Sequence, residues 1–185
     1  MVIAIVGMPG AGKSCLAEHF KKKDFSFVRF GQIVIDEVVR RGMEINPRNE
    51  RLIREEIRRV EGMDVCARRA LPLIRARLAN GDVVVVDGLY SWSEYKTLRI
   101  TLEDRFVVVA VFASRQLRYE RLHRRPERPL TYEEAEQRDV AEIEYIEKGG
   151  TIAMADYAVL NDGAESEMFL AADRILRKIL SACRS

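Results

Sequence analysis

Eight residues near the start of the chain, Gly7 to Ser14, have the types and the spacing that bind phosphate. They read Gly-Met-Pro-Gly-Ala-Gly-Lys-Ser and fit the phosphate-binding pattern Gly-x-x-x-x-Gly-Lys-Ser/Thr at every fixed position. Glycine lets backbone N–H groups approach phosphate oxygens, and the positive N-terminal end of a following helix attracts the same anion. The pattern predicts that Lys13 contacts the β- and γ-phosphates of ATP and that the Ser14 hydroxyl is a ligand of Mg²⁺.

The flanking residues agree with this interpretation of the segment, which we call the glycine loop. An apolar run at residues 2–6 predicts a buried strand that enters the loop, and an amphipathic pattern at about 12–22 predicts a helix that leaves it. The alternative, a glycine-rich turn with a chance lysine, does not explain why strand, pattern and helix occur in register. The predicted ATP-binding residues are Gly7, Met8, Pro9, Gly10, Ala11, Gly12, Lys13, Ser14 and Cys15.

Asp87 is the second candidate ligand of Mg²⁺. It ends the apolar, β-branched run 82–87 and is followed by Gly88, so its carboxylate is expected at the carboxyl edge of a sheet, beside the glycine loop. There it would hold a Mg²⁺-bound water. A turn-forming Asp-Gly pair is the alternative. Because residue 88 is glycine and not glutamate, the strand lacks a water-activating carboxylate, which favours transfer to a bound acceptor over hydrolysis.

Six arginines lie within fourteen residues of the chain: Arg115, Arg118, Arg121, Arg124, Arg125 and Arg128. The i, i+3, i+7 spacing of Arg118, Arg121 and Arg125 places them on one helix face. Together with Arg138 on a return helix, this face predicts a lid that neutralises a transferring phosphoryl group and excludes water. A solvated charged face is one alternative. An RNA-binding patch is disfavoured because Tyr119 is the only aromatic residue in that helix. The predicted catalytic residues are Lys13, Asp87, Arg121, Arg125 and Arg138.

Strands and helices alternate along the chain. Apolar runs predict strands at about 2–6, 25–30, 82–87, 106–112 and 157–160. Helical patterns occur at about 12–22, 32–41, 114–125, 131–148 and 165–182, and a longer one at 48–78 is interrupted near Gly62 or Pro72. We expect Gly149-Gly150 to end the helix that begins with the capping box at Thr131. Five apolar strands separated by helices predict an α/β fold with a parallel sheet.

Length and composition predict one domain over 1–185, with a helical insertion at about 32–78 and a lid at about 115–148. The chain is 48% hydrophobic and 32% charged, and no apolar run approaches the ~20 residues of a membrane span. Without a secretory signal, a cytoplasmic protein without a membrane partner is expected. Cys15, Cys66 and Cys183 fit neither a metal site nor a disulfide framework. Cys15 lies in a first helical turn, where a thiolate is favoured, although a packing role is the more common one.

Several short motifs strengthen a family resemblance: Phe30-Gly31, Asp87-Gly88, Arg121-Leu122, Arg138-Asp139 and Ala155-Asp156-Tyr157 with Asn161. With the N-terminal glycine loop, they make the chain similar to the nucleoside-monophosphate-kinase family of P-loop proteins. More narrowly, it resembles archaeal adenylate-kinase-related proteins, which are also similar to dephospho-coenzyme-A kinase. The resemblance covers essentially the whole chain. It implies a P-loop NTP hydrolase fold with a five-stranded parallel sheet of order 2-3-1-4-5, a substrate-side helical insertion and an arginine-rich lid.

The resemblance also implies where the phosphoryl acceptor binds. Relatives bind it at the end of the second strand and on the next helix, so the predicted acceptor-binding residues are Arg29, Gly31, Arg40 and Gly88. Gln32 stands where relatives usually have aspartate, which favours an anionic phosphate acceptor unless Asp36 or Glu37 acts as a base. Leu89-Tyr90 replaces an arginine-bearing stretch, which favours the opposite, so the acceptor stays open.

Three classes of function remain. The first is a kinase that uses ATP and Mg²⁺ to phosphorylate a small nucleotide-like acceptor, with a nucleoside monophosphate favoured over a dephospho-coenzyme-A-like hydroxyl. The second is a regulatory protein that binds ATP without efficient turnover. The third, a nucleic-acid kinase or binder, is disfavoured. The sequence predicts no oligomeric state.

Overall fold

The computed structural model describes residues 1–182 and contains a sheet of five parallel strands. Its order is β2-β3-β1-β4-β5, which confirms the predicted fold. The strands in chain order are β1 Val2–Val6, β2 Ser26–Arg29, β3 Val84–Asp87, β4 Phe106–Phe112 and β5 Tyr157–Leu160.

Helices cover both faces of this sheet. In chain order they are α1 Lys13–Lys21, α2 Phe30–Arg40, α3 Pro47–Glu61, α4 Val65–Ala79, α5 Trp92–Leu102, α6 Arg115–Arg124, α7 Tyr132–Glu144, α8 Lys148–Ala153 and α9 Glu165–Ala182. A 3₁₀ turn, Glu103–Arg105, joins α5 to β4. No helix within the described residues is long and apolar enough to cross a membrane. Cys183 lies outside the described residues.

The central strand β1 divides the core into two layers. Val2, Ala4 and Val6 point to the side packed by α2, α4 and α5, whereas Ile3 and Ile5 point to the side packed by α1 and α9. All five residues are completely buried. A strand covered on both faces needs apolar side chains at every position, which is why this segment is continuously apolar rather than alternating.

The strand register brings the predicted chemical groups to one edge. Ile5 of β1 is level with Asp87 of β3, and Asp87 is level with Arg29 of β2. Because all strands are parallel, the glycine loop after β1 and the loop after β3 leave the same carboxyl edge of the sheet. This is the edge at which open α/β sheets bind ligands.

The long helical region predicted at 48–78 is two helices. The break lies at Gly62, whose φ of 101° suits glycine and ends α3. Pro72 lies inside α4 without interrupting it, because Val65, Ala70 and Ile74 of this helix are buried in the core and hold it in place. Tertiary packing therefore overrides the local preference of proline.

Three other helices, α5, α7 and α8, differ from the sequence prediction. Helix α5 was not predicted, although Ser91 and Glu94 form a capping box at its start. The return helix α7 starts as expected at the Thr131 capping box but ends at Glu144. Gly149 and Gly150 do not terminate it; they lie inside the short helix α8, which follows a left-handed Glu147 with φ 52°.

Candidate active site

Backbone geometry in the glycine loop requires glycine. Gly10 and Gly12 have φ values of 77° and 103°, in the left-handed region. A Cβ at Gly10 would lie 2.5 Å from the carbonyl oxygen of Arg118, and one at Gly12 would lie 2.1 Å from Nδ2 of Asn161. A larger residue at either position would displace the loop from its two supports.

Those supports come from residues far away in the sequence. Arg118 of α6 donates from Nη1 to the Pro9 carbonyl at 3.0 Å, and Asn161, just after β5, donates from Nδ2 to the Ala11 carbonyl at 2.8 Å. Arg121 of α6 donates to the carbonyl of Asn161 at 2.8 Å. The loop is thus braced from α6, the helix of the predicted lid, and from the end of the sheet, which preorganises its backbone.

Lys13 points back over the glycine loop. Its Nζ donates to the carbonyl oxygen of Met8 at 3.1 Å. Burial, together with the positive charges of Lys148 and Arg138, lowers the pKa of Lys13 from 10.5 to about 7, against the opposing effect of Glu142 and Asp87. A phosphate bound beside this ammonium group would favour its charged form.

Ser14 and Asp87 have the oxygen donors that Mg²⁺ prefers. Ser14 lies in the first turn of α1, and Asp87 ends β3 with about a quarter of its side chain exposed. Arg29 Nε lies 3.5 Å from Asp87 Oδ2, so two residues predicted for different roles are in contact. Residues 1–182 hold no group of three or more His, Cys, Asp or Glu side chains that could bind a metal. Mg²⁺ fits such a site, because it is commonly held by few protein ligands together with phosphates and waters.

The arginines of α6 do not act as one exposed face. Arg118 is buried and forms a bidentate pair with Asp139 of α7 at 2.9 and 2.6 Å. It is a structural brace, which the helical spacing did not distinguish from a lid residue. Arg121 braces Asn161 through Nη2, whereas its other terminal guanidinium nitrogen, Nη1, is buried and has no hydrogen-bond partner within residues 1–182.

Arg125 and Arg138 are the predicted lid residues that remain near one another. Burial lowers the pKa of Arg125, and the nearby charges of Arg138 and Arg128 add to that effect. Arg125 donates to the Arg128 carbonyl, and Arg138 Nε donates to Glu142 Oε1 at 3.2 Å. Neighbouring guanidinium groups that face few carboxylates form a suitable environment for an anion.

On the acceptor side, Arg40 is held by a carboxylate. Glu37 is 3% exposed and accepts hydrogen bonds from Arg40, Arg41 and Arg69, which links α2 to α4. Hydrogen bonds from Arg40 and Arg41 hold the pKa of Glu37 well below its usual value. Gly31 is not crowded by neighbouring atoms, because a Cβ at this position would have nothing within 4 Å.

Sequence reasoning missed two charged residues near Lys13, namely Lys148 and Glu142. Lys148 is 1% exposed, forms an ion pair with Glu142, and has its Nζ 4.7 Å from the centre of the Tyr90 ring. That ring folds back over Gly88, where a Cβ would lie 3.0 Å from Tyr90 Cε2. The sequence offered one signal that could have pointed to Lys148: lysine is rare in this chain, with only 7 lysines among the 31 basic residues.

Cys15, in the first turn of α1, has a local environment that opposes a thiolate. Its thiol contacts a carboxylate oxygen of Glu165. Burial and this neighbouring carboxylate raise the pKa of Cys15 to about 11. Burial, the larger cause, and the carboxylate act against the effect of the helix N-terminus, in agreement with the packing role that is the more common one at this position.

The sheet is parallel with the order β2-β3-β1-β4-β5, and its carboxyl edge carries the braced glycine loop and Asp87 at the end of β3. These features together define a P-loop kinase-like protein. Residues 3–144 match the model of the AAA domain family. The chain belongs to the UPF0200 family: it is 36% identical over 183 residues to a UPF0200 protein of Thermococcus gammatolerans, covering 97% of this chain and 96% of that protein. The predicted family resemblance is thereby confirmed.

Solved structures share the fold at low sequence identity. The crystal structure of TT1252 from Thermus thermophilus aligns with a TM-score of 0.68 at 18% identity, over 96% of each chain. Shikimate kinase from Acinetobacter baumannii, solved in complex with shikimate, aligns with a TM-score of 0.56 at 22% identity, over 98% of this chain and 93% of the kinase.

Proposed function

We propose that this protein is a phosphotransferase that moves the γ-phosphoryl group of ATP to a nucleotide-like small molecule, with a nucleoside monophosphate as the favoured acceptor. The observation behind the proposal is the position of Lys13 and Asp87 at one sheet edge, beside a glycine loop braced by the lid helix. Phosphoryl transfer needs little covalent chemistry from a protein, so positioning and charge neutralisation are the functions such an edge must supply.

Each group has a role in this reaction. Lys13 and the loop backbone would hold the β- and γ-phosphates, and Arg125 and Arg138 would neutralise the transferring group from the lid side. Ser14 and Asp87 would hold Mg²⁺, which when bound neutralises charge on the β- and γ-phosphate oxygens. Arg29, Gly31, Gly88 and Arg40 would form the acceptor side.

An anionic acceptor is favoured because neither carboxylate near Gly31 is placed to act as a base. Glu37 is saturated by three arginines, and the low pKa that results makes it a poor proton acceptor. Asp36 is exposed and accepts a hydrogen bond from Gln32 at 2.9 Å. A monophosphate acceptor is already a nucleophile and needs no such base.

A hydroxyl acceptor, as in a dephospho-coenzyme-A-like reaction, is the second candidate. It is supported by the shared fold with shikimate kinase, a neighbour that was solved with shikimate rather than with a nucleotide acceptor. The third candidate is an ATP-binding regulatory protein with little turnover.

One screen separates these candidates. Purified protein with ATP and Mg²⁺ is offered AMP, CMP, GMP, UMP, dephospho-coenzyme A or shikimate, and ADP formation is compared with a reaction without acceptor. We expect one nucleoside monophosphate to raise the rate at least about tenfold, and Lys13→Ala to lower it by about 100-fold or more. ATP binding without turnover on any acceptor would favour the regulatory protein, and absence of ATP binding would refute all three candidates.

A further inference from the structure

The ammonium group of Lys148 is a buried charge that the proposed transfer mechanism has not used. Its side chain is 1% exposed, and the carboxylate it contacts, Glu142, is shared with Arg138. A buried ammonium is costly unless it is well compensated, and Lys148 has only a carboxylate shared with Arg138, the face of the Tyr90 ring and the weaker charge effect of Glu94. Nothing in the core requires a lysine here, because an apolar side chain of similar length would fill the same space without a charge.

The surroundings of Lys148 belong to the candidate active site. Its Nζ lies over the ring of Tyr90, which folds back on Gly88 immediately after Asp87. Lys148 is also the charged group that most lowers the pKa of Lys13. Lys148 is therefore near both the lysine of the glycine loop and the loop that follows β3.

The balance of charge at this point favours an anion. The ammonium groups of Lys13 and Lys148 and the guanidinium of Arg138 all act on the carboxylate of Glu142. Asp87 also acts on Lys13 but is paired with Arg29, and Glu94 acts on Lys148 more weakly than Glu142 does. Burial alone would raise the pKa of Glu142, but these cations hold it below its usual value. The carboxylate occupies the position in which a more highly charged anion would contact the same cations.

We propose that Lys148 is a second phosphate-binding lysine, which contacts the terminal phosphoryl group of ATP, and that Glu142 is its partner until the nucleotide binds. This inference rests on the proposed function. On binding, the terminal phosphate replaces Glu142 as the main partner of Lys148, and Glu142 keeps its hydrogen bond from Arg138. Lys148 then neutralises charge on the group that is transferred.

The test compares the Mg²⁺ complexes of ADP and of a non-hydrolysable ATP analogue by calorimetry, because the two ligands differ in the terminal phosphate. Lys148→Met should weaken binding of the analogue about tenfold or more and binding of ADP less than about threefold, since a charge-assisted hydrogen bond is lost with the analogue alone. Glu142→Gln should strengthen binding of the analogue, because it removes the competing carboxylate. Arg124→Ala, on the exposed side of α6, is the control and should change neither affinity.

The opposite signs of the two variants separate this role from a structural one. A merely structural ion pair would give losses for both variants, or equal losses for both nucleotides, and either result would overturn the proposal. If Lys148→Met does not fold, the double variant Glu142→Gln with Lys148→Met takes its place, because it removes both members of the buried ion pair. The double variant should still lose the preference for the ATP analogue over ADP. Wild-type protein that binds neither nucleotide would instead refute the proposed function.

Discussion

At the scale of single residues, the site differs from a solvated charged surface in the state of its ionisable groups. The pKa of Lys13 is lowered to about 7 by burial and by Lys148, while the pKa of Cys15 is raised to about 11 by burial and by Glu165. Perturbed titration of this kind is frequent where a protein binds or transforms a charged ligand.

The titration of Lys13 predicts proton uptake when nucleotide binds. Between pH 7 and 10.5 the folded, unliganded protein binds fewer protons at Lys13 than the unfolded chain, so its stability rises with pH across that window. A bound phosphate should restore the charge. At pH 8, calorimetry of MgADP binding in buffers of different ionisation enthalpy should show proton uptake, and Lys13→Met should reduce it. Equal uptake by both proteins would contradict the assignment.

Asp87 should determine the dependence on Mg²⁺. Asp87→Asn removes a carboxylate ligand but only a weak contact with the exposed Arg29, so the melting temperature should change little. The Mg²⁺ concentration at half-maximal nucleotide binding should rise about tenfold or more. An unchanged Mg²⁺ titration would mean that Asp87 is only a turn residue.

At the scale of secondary-structure elements, α6 has two functions on two faces. Its buried face braces the glycine loop through Arg118, and its C-terminal end leads into the exposed segment with Arg125 and Arg128. The helix therefore connects the segment of the predicted lid to the backbone of the glycine loop.

The brace predicts a large loss of stability from one arginine and little from its neighbour. Arg118→Ala would leave the buried carboxylate of Asp139 unpaired, at a cost of about 3–5 kcal/mol. Arg115 is exposed and lies 3.6 Å from Glu136, so Arg115→Ala should cost less than about 1 kcal/mol. Urea unfolding of both variants measures the difference; similar values would show that Arg118 is not a brace.

The lid arginines should act on the rate more than on binding. Once an acceptor is known, Arg125→Ala and Arg138→Ala should each lower kcat more than they weaken ATP binding, because their contacts strengthen in the transition state. Arg124→Ala, at an exposed arginine next to Arg125 at the end of α6, is the control. Normal kcat in both variants would leave the predicted lid without a catalytic role.

At the scale of the whole molecule, the fold makes one face from segments that are distant in sequence. The loops after β1, β3 and β5 meet at the carboxyl edge, with α6 and α7 above them. The network of Glu37 with Arg41 and Arg69 links α2 to α4 on the side where the acceptor is proposed to bind. Closure over a nucleotide would have to join these two sides.

Closure should protect the segment between α6 and α7 from proteolysis. Residues 126–129 are exposed, and Arg128 adopts a left-handed φ of 52°. Limited trypsin digestion at Arg124 should slow several-fold with a non-hydrolysable ATP analogue and Mg²⁺, compared with protein alone. The same rate under both conditions, with saturating analogue confirmed by calorimetry, would argue against closure.

The sequence by itself determined the strands, their parallel arrangement and the glycine loop, because these depend on local patterns. Continuous apolar runs indicate strands covered on both faces, and the spacing of Gly7, Gly12 and Lys13 reflects the backbone that a phosphate requires. The family resemblance supplied the strand order. Helix α5 was missed although its capping box was visible in the sequence.

Only the tertiary structure decided which charged residues serve the site and which hold it together. The i, i+3, i+7 spacing placed Arg118 and Arg121 on one face, but Arg118 pairs with Asp139 and Arg121 with Asn161, and sequence periodicity contains no information on partners from other elements. The same holds for Lys148 and Glu142, which are separated from Lys13 by more than a hundred residues. Burial strengthens the electrostatic interactions of these charges, and it exists only after the chain has folded.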